Sequence, residues 1–116
     1  MNPRVRVIVE FIKSNLHREL TVNELSAVAG LSHSRLHRVV KAEVGMSPIH
    51  YHKLLRLQKA CDLLTRTLWK IERIRLEIGY EQHSRFFRDF KAQFGLTPKE
   101  YRARHINPKL LATTKE

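Results

Sequence analysis

Residues 33–51, HSRLHRVVKAEVGMSPIHY, align without a gap on residues 83–101, HSRFFRDFKAQFGLTPKEY. Nine of the 19 positions are identical: His33/His83, Ser34/Ser84, Arg35/Arg85, Arg38/Arg88, Lys41/Lys91, Ala42/Ala92, Gly45/Gly95, Pro48/Pro98 and Tyr51/Tyr101. Self-similarity of this kind marks a duplicated supersecondary unit. Upstream the offset drops by one, Leu25 pairing with Ile74 and Gly30 with Gly79, so the second copy holds one extra residue in its turn. Each copy reads as a short helix, a glycine-containing turn and a second helix, which is a helix-turn-helix.

Apolar residues outside the repeat also recur at helical spacing, and no stretch alternates apolar and polar residues as a strand would. The predicted class is all-α, with about seven helices. A first helix follows Pro3 and carries Val5, Ile8, Ile12 and Leu16 as one stripe. Thr21 and Glu24 form a T-x-x-E capping box that opens a helix ending at Gly30. Ser32 caps the next helix, whose buried face is Leu36, Val39, Val40 and Val44. Ser47 and Pro48 start a long helix of roughly 17 residues bearing Tyr51, Leu54, Leu57, Cys61 and Leu64 on one side. A short helix from about Ile71, a longer one from about Gln82 to Phe94, and a last one opened by the Thr97 to Glu100 capping box complete the pattern. The expected partition is a helix-turn-helix subdomain at 1–46, a linker helix at 47–65 and a second subdomain at 66–104. Residues 105–116 have no amphipathic repeat and are expected to be disordered.

Charge narrows the partner. The 116 residues hold 22 Lys and Arg against 11 Asp and Glu, a net charge of +11. Residues 51–116 carry +8 of it and residues 1–50 only +3. Such an excess is the footprint of a polyanion binder. One cysteine, Cys61, allows no disulfide framework, and no apolar run approaches the length of a membrane span. These features read as a soluble, cytoplasmic chain without membrane association.

The repeat also defines a polar face. Ser34, His37, Arg38 and Lys41 lie at i, i+3, i+4 and i+7, opposite the apolar set, and Ser84, Phe87, Arg88 and Lys91 take the same places in the second copy. A helix-turn-helix lets its first helix brace the second while the outer face of the second enters a major groove. There Arg reads guanine O6 and N7, His offers one hydrogen bond, Ser suits several base edges, and a phenyl ring meets a thymine methyl. Phe87 has an alternative place, folded against the core beside Phe86 and Phe90.

On these residues the chain resembles the DNA-binding domain of the AraC/XylS family of bacterial transcription activators over about residues 5–104. The resemblance is carried by Leu20-Thr21-x-x-Glu24-Leu25, Ala29-Gly30-Leu31-Ser32 and Gly45-Met46-Ser47-Pro48. It continues through Arg56-Leu57-x-x-Ala60-x-x-Leu63-Leu64, Ile74 to Gly79-Tyr80, and the closing run Phe86-Phe87-Arg88-Asp89-Phe90-Lys91 to Phe94-Gly95-Leu96-Thr97-Pro98-x-x-Tyr101-Arg102. It implies two helix-turn-helix subdomains joined by a long helix, reaching two successive major grooves of double-stranded DNA as a monomer, with RNA polymerase as a further partner. By position it assigns base reading to Ser34, Arg35, His37, Arg38, His83, Ser84, Phe87 and Arg88. Backbone contacts fall to Lys41, Lys91, Arg85 and Arg56, although Arg56 equally suits an ion pair with a neighbouring helix. The family's ligand-sensing or dimerisation domain is absent from these residues, which suit either a stand-alone regulator or a piece of a longer one.

Departures from the family pattern concentrate in the second copy. Arg75 stands where a small Ala is usual, and Lys70 where a hydroxyl cap is usual. Arg75 is expected to snorkel outward or to hold the two helices apart, with Arg75→Ala stabilising the second unit and the first copy dominating specificity. Trp69 and Ile74 can form a hydrophobic staple that offsets the poor cap. Ser26 and Val40 replace the commoner Ala and Phe in the first copy.

Other chemistry finds little support. His33 and His37, with His50 and His52 nearby, lack the Cys or carboxylate spacing of a tetrahedral metal set. Cys61 and the repeated Tyr51 and Tyr101 read as core residues. Neither a phosphate loop, a nucleophile elbow, an H-E-x-x-H motif nor a cofactor signature occurs, which argues against an enzyme. The competing reading is a helix-turn-helix module that binds an acidic protein or another transcription factor.

Overall fold

The computed structural model describes residues 1–113, and among them there are eight helices and no strand. In chain order these are α1 Pro3–Ser14, α2 Val22–Ala29, α3 His33–Val44, α4 Pro48–Arg66, α5 Ile71–Glu77, α6 His83–Phe94, α7 Pro98–His105 and α8 Pro108–Thr113. The chain divides into two compact units, residues 1–55 and residues from 56 onward, and the division falls inside α4.

Helix boundaries follow local chemistry. The Ser32 hydroxyl accepts from Arg35 N at the start of α3, and the Ser47 hydroxyl accepts from His50 N at the start of α4. Gly30, Gly45 and Gly95 end α2, α3 and α6 with φ of 66°, 84° and 77°, a left-handed conformation that a side chain would strain. Thr97 and Glu100 make both halves of the capping box on α7. At α2 only half is made. The Thr21 hydroxyl accepts from Glu24 N, but the Glu24 carboxylate turns instead to the Arg18 guanidinium at 2.9 Å. That hydrogen bond is the chief reason the Glu24 carboxyl is held below the usual carboxylate range.

In the first unit, Ile8, Ile12, Leu20, Leu25, Leu31, Leu36 and Val40 form the buried core. Burial of apolar surface at roughly 25 cal/mol per Å² is the main force holding three short helices together. Val39 and Val44 sit half-buried at its margin. His52, on the first turns of α4, is buried and its Nε2 lies 3.0 Å from the carbonyl of Asn15, so this histidine belongs to the interior.

The second unit is built on Leu57, Ala60, Leu64, Ile74, Ile78, Tyr80, Phe86 and Phe90. Phe90 packs against Phe86, Phe94 and Tyr101 with centroids 5.9, 4.8 and 5.6 Å away, within the range of favourable aromatic pairs. Trp69 packs against this core, of which Ile74 is part, while Lys70 makes no side-chain cap. Cys61 and the repeated tyrosines are half-buried, and burial pushes the Cys61 thiol up, disfavouring the thiolate.

Two expectations are corrected. Residues 105–113 do not continue as an unstructured tail: α7 runs through His105, Asn107 N donates to the Thr65 carbonyl at 3.0 Å, and α8 follows. The Asn107 side chain accepts from Lys109 N and caps α8, a local signal that an amphipathic search passes over. The rest of the expected tail, 114–116, lies outside the described residues.

The second correction concerns Arg75. Its side chain does not snorkel outward but is tied into the turn. Its Nη1 donates to the Tyr80 carbonyl at 2.6 Å, its Nε and Nη2 each lie 2.9 Å from Glu72 Oε2, and its side chain is only 12% exposed. The first copy solves the same problem with Ser26, whose hydroxyl donates to the Leu31 carbonyl. In both copies the amide of that same turn residue donates back, Leu31 N to Ser26 O and Tyr80 N to Arg75 O, each at 3.1 Å. Ser26 and Arg75 are therefore equivalent clasps across the turn. Arg75→Ala strips the Tyr80 carbonyl of its donor and is expected to destabilise the second unit by about 1–3 kcal/mol. Urea denaturation of the variant checks the sign, which is opposite to that expected from the sequence.

Candidate nucleic-acid interface

α3 and α6 each bury one face and present the other to solvent. In α3, Leu36 and Val40 are buried while Ser34, Arg35, His37, Arg38 and Lys41 are exposed. In α6, Phe86 and Phe90 are buried while His83, Ser84, Arg85, Arg88 and Lys91 are exposed. Each unit thus gathers its own set of sequence-predicted residues on one helix face. A recess of about 420 Å³ flanks α3, lined among others by Val22, His33, Ser34, His37 and Pro48, so one side of both histidines borders open space.

The two faces differ in how far they are fixed in advance. His83 is 58% exposed, yet its Nδ1 contacts Glu72 Oε1 and its ring stacks on Phe87 at 4.1 Å. Phe87 is half-buried: it packs against the second core and meets Phe86 edge-on at 5.8 Å. The phenyl ring thus takes its core-side place in part, with one edge in the core and one face under His83. Arg88 is 74% exposed, and its Nε lies 3.7 Å from Asp89, whose other oxygen accepts from the buried Tyr80 hydroxyl at 3.0 Å. Burial, together with the Asp89 charge, pushes the Tyr80 phenol up and keeps it a neutral donor.

Arg56 departs from its backbone-contact assignment. It is 3% exposed, donates from Nε to the Ile78 carbonyl at 2.8 Å and lies over the Tyr80 ring at 4.4 Å. A guanidinium held by a turn carbonyl and an aromatic face inside the second unit is structural, and reaching a phosphate would require withdrawing it from both. Glu72 is the site residue that sequence reasoning missed. Its contact joins α5 to α6, and helical spacing within one element cannot reveal it. The available signal was the repeat itself, which aligns Glu72 with the neutral Asn23.

The surface chemistry is cationic and hydrogen-bonding. Among the described residues no group of three or more His, Cys, Asp or Glu could hold a metal ion, and no helix is long and apolar enough to cross a membrane. Arg, His and Ser on an exposed helix face supply the donors that base edges and phosphates accept.

Comparison with known proteins agrees with this geometry. The profile of the family described as "Helix-turn-helix domain" matches residues 25–104. The chain is 28% identical over 102 residues to the lactose operon transcription activator of Staphylococcus xylosus, covering 88% of this chain and 37% of that protein. The chain spans 28–37% of the length of that relative and two others it matches. The solved C-terminal domain of AraT, a response regulator from Geobacillus stearothermophilus, superposes with a TM-score of 0.85 at 30% identity, covering 91% of this chain and 88% of that one. A transcriptional regulator from Chromobacterium violaceum, described among AraC-type DNA-binding domain-containing proteins, gives 0.81 at 29% identity, with 91% and 95% covered. With the duplicated helix-turn-helix, its two basic faces and these matches together, the chain belongs to the AraC-type helix-turn-helix family of DNA-binding transcription regulators.

Proposed function

We propose that this chain binds an asymmetric double-stranded DNA site as a monomer, placing α3 and α6 in successive major grooves, and that it activates transcription. The observation that carries the reading is the repetition of one exposed basic face on two helices that are otherwise built to be buried. Residues 47–65 act as the linker between the two readers. Ser34, Arg35, His37, Arg38, His83, Ser84, Phe87 and Arg88 read bases, while Lys41, Arg85 and Lys91 neutralise phosphates. Activation and an RNA polymerase contact rest on likeness to the family, whose members include a transcription activator. A purely protein-binding module explains the charge but not the paired hydrogen-bonding faces. Fitting two readers to one duplex face can require DNA bending, which costs on the order of 1–6 kcal/mol and must be offset by the added contacts.

Footprinting tests this arrangement. Two protected major-groove segments about one helical turn apart, ~34 Å, on one side of the duplex are expected from a monomer. A two-fold symmetric site occupied only by a dimer overturns it. Arg38 and Arg88 occupy equivalent exposed places, and each change to Ala is expected to cost about 1–3 kcal/mol and to relax preference at one base pair of its own half-site. Binding isotherms on a panel of single-base operator variants make the distinction: loss uniform over all sequences assigns the side chain to phosphate instead. With Arg75 integrated into the second unit, the reason for ranking α3 above α6 is gone, and both half-sites are expected to matter.

A further inference from the structure

The paired His83 and Glu72 give the second reader a property the first lacks. Glu72 divides its carboxylate: Oε2 holds the Arg75 guanidinium and Oε1 meets His83 Nδ1. The hydrogen bond from His83, followed by that from Arg75, holds the Glu72 carboxyl below the usual range, so the group is ionised and can only accept. His83 Nδ1 must therefore carry a proton. A neutral imidazole has one N–H, so the proton on Nδ1 leaves Nε2, on the other edge of the ring, as an acceptor. The stack on Phe87 fixes the ring plane, and among the described residues Nε2 makes no hydrogen bond.

We propose, on the reading of α6 as a DNA-recognition helix, that Glu72 is a specificity-positioning residue that fixes the tautomer of His83 and thereby decides which base edge Nε2 can read. Neutral His83 then accepts from the amino group of adenine or cytosine. Held with its proton on Nε2 instead, the same ring would donate to guanine O6 or N7. Glu72 disfavours that tautomer. The charged groups on the α5 side of the ring are Glu72, which meets it, and Arg75, which shares that carboxylate. In the first copy Asn23 and Ser26 stand in place of Glu72 and Arg75, so no carboxylate occupies the place from which Glu72 meets His83.

Selection of bound sequences from a random duplex library tests the inference with the wild-type chain, Glu72→Gln, His83→Gln and the double variant. Wild type is expected to show one position in one half-site that favours adenine or cytosine. Glu72→Gln is expected to lose roughly tenfold of the discrimination at that position alone, because a neutral amide can pair with either tautomer. His83→Gln is expected to lose the dependence on residue 72, so that the double variant loses no more discrimination than His83→Gln. First-half-site preferences that stay unchanged in every variant report that folding is intact. Glu72→Gln keeping the wild-type preferences, or weakening all sequences equally, overturns the positioning role alone. A wild-type chain that selects no sequence overturns the DNA-reading assignment and this inference with it.

Discussion

Raising the salt concentration from about 50 to about 200 mM is expected to weaken DNA binding by about 10³-fold. Each phosphate neutralised releases condensed counterions and contributes about −0.9 to the slope of log K against log salt. Composition alone, at +11, would allow contacts to about 6–10 phosphates and a slope of roughly −5 to −9. The structure narrows this range. Arg56 is buried, Arg75 is clasped to the Tyr80 carbonyl, and Arg102 donates to the Leu64 carbonyl at 3.1 Å, so these cations are committed inside the fold. Arg35, Arg38, Lys41, Arg85, Arg88 and Lys91 are exposed on the two recognition helices. Lys41, Arg85 and Lys91 on phosphates, with the charges of Arg35, Arg38 and Arg88 brought into the same grooves, displace about six counterions and give a slope of about −5, at the shallow end of the range. Fluorescence anisotropy with a labelled operator across a salt series measures it. An affinity that hardly changes over that range would favour a protein partner, while a slope near −9 would mean that cations beyond these two helices also reach the duplex.

Phe90→Ala is expected to remove about 3–5 kcal/mol, most of what holds the second unit together. Phe90 has no exposed surface and joins Phe86 of its own helix to Phe94 and to Tyr101 on α7. Its loss leaves a cavity bordered by three rings that cannot all move in, and it deletes aromatic contacts worth about 0.5–1.5 kcal/mol each beyond area burial. The matching position in the first unit is Val40, also fully buried but set among aliphatic side chains. Val40→Ala removes less volume, so its cost is expected to be smaller. Urea unfolding of both variants, followed by tryptophan fluorescence for the second unit because Trp69 packs against its core, checks the order. A Phe90→Ala chain as stable as Val40→Ala would show that the second core can repack.

The same two positions show what the repeat conveyed. Its alignment places Val40 on Phe90 and Leu36 on Phe86, and all four are buried. It also places Arg38 on Arg88 and Lys41 on Lys91, and all four are exposed. A helix face is set by spacing along the chain, so it is legible without coordinates. Caps behave alike, since Ser32, Ser47 and Thr97 act on backbone amides three residues away. Glu24 shows the limit of that logic. Its partner for a capping box lay at the right spacing, but Arg18, six residues upstream, offered a charged hydrogen bond in place of the Thr21 amide.

The sequence by itself determined the helix-turn-helix duplication, the all-α class, the basic partner-facing surfaces and the exposed faces of α3 and α6. Each depends on local periodicity or on summed charge. Only the tertiary structure decided which arginines belong to the surface. Arg56, Arg75 and Arg88 look alike in the sequence, yet one lies under a turn carbonyl, one clasps a turn and one stands in solvent. It also decided that His83 is tethered by Glu72, eleven residues away on another helix. The physical reason is common to all of them. A long polar side chain takes whichever partner the folded backbone brings within about 3 Å, and that partner is set by how helices cross, which spacing along one helix does not encode.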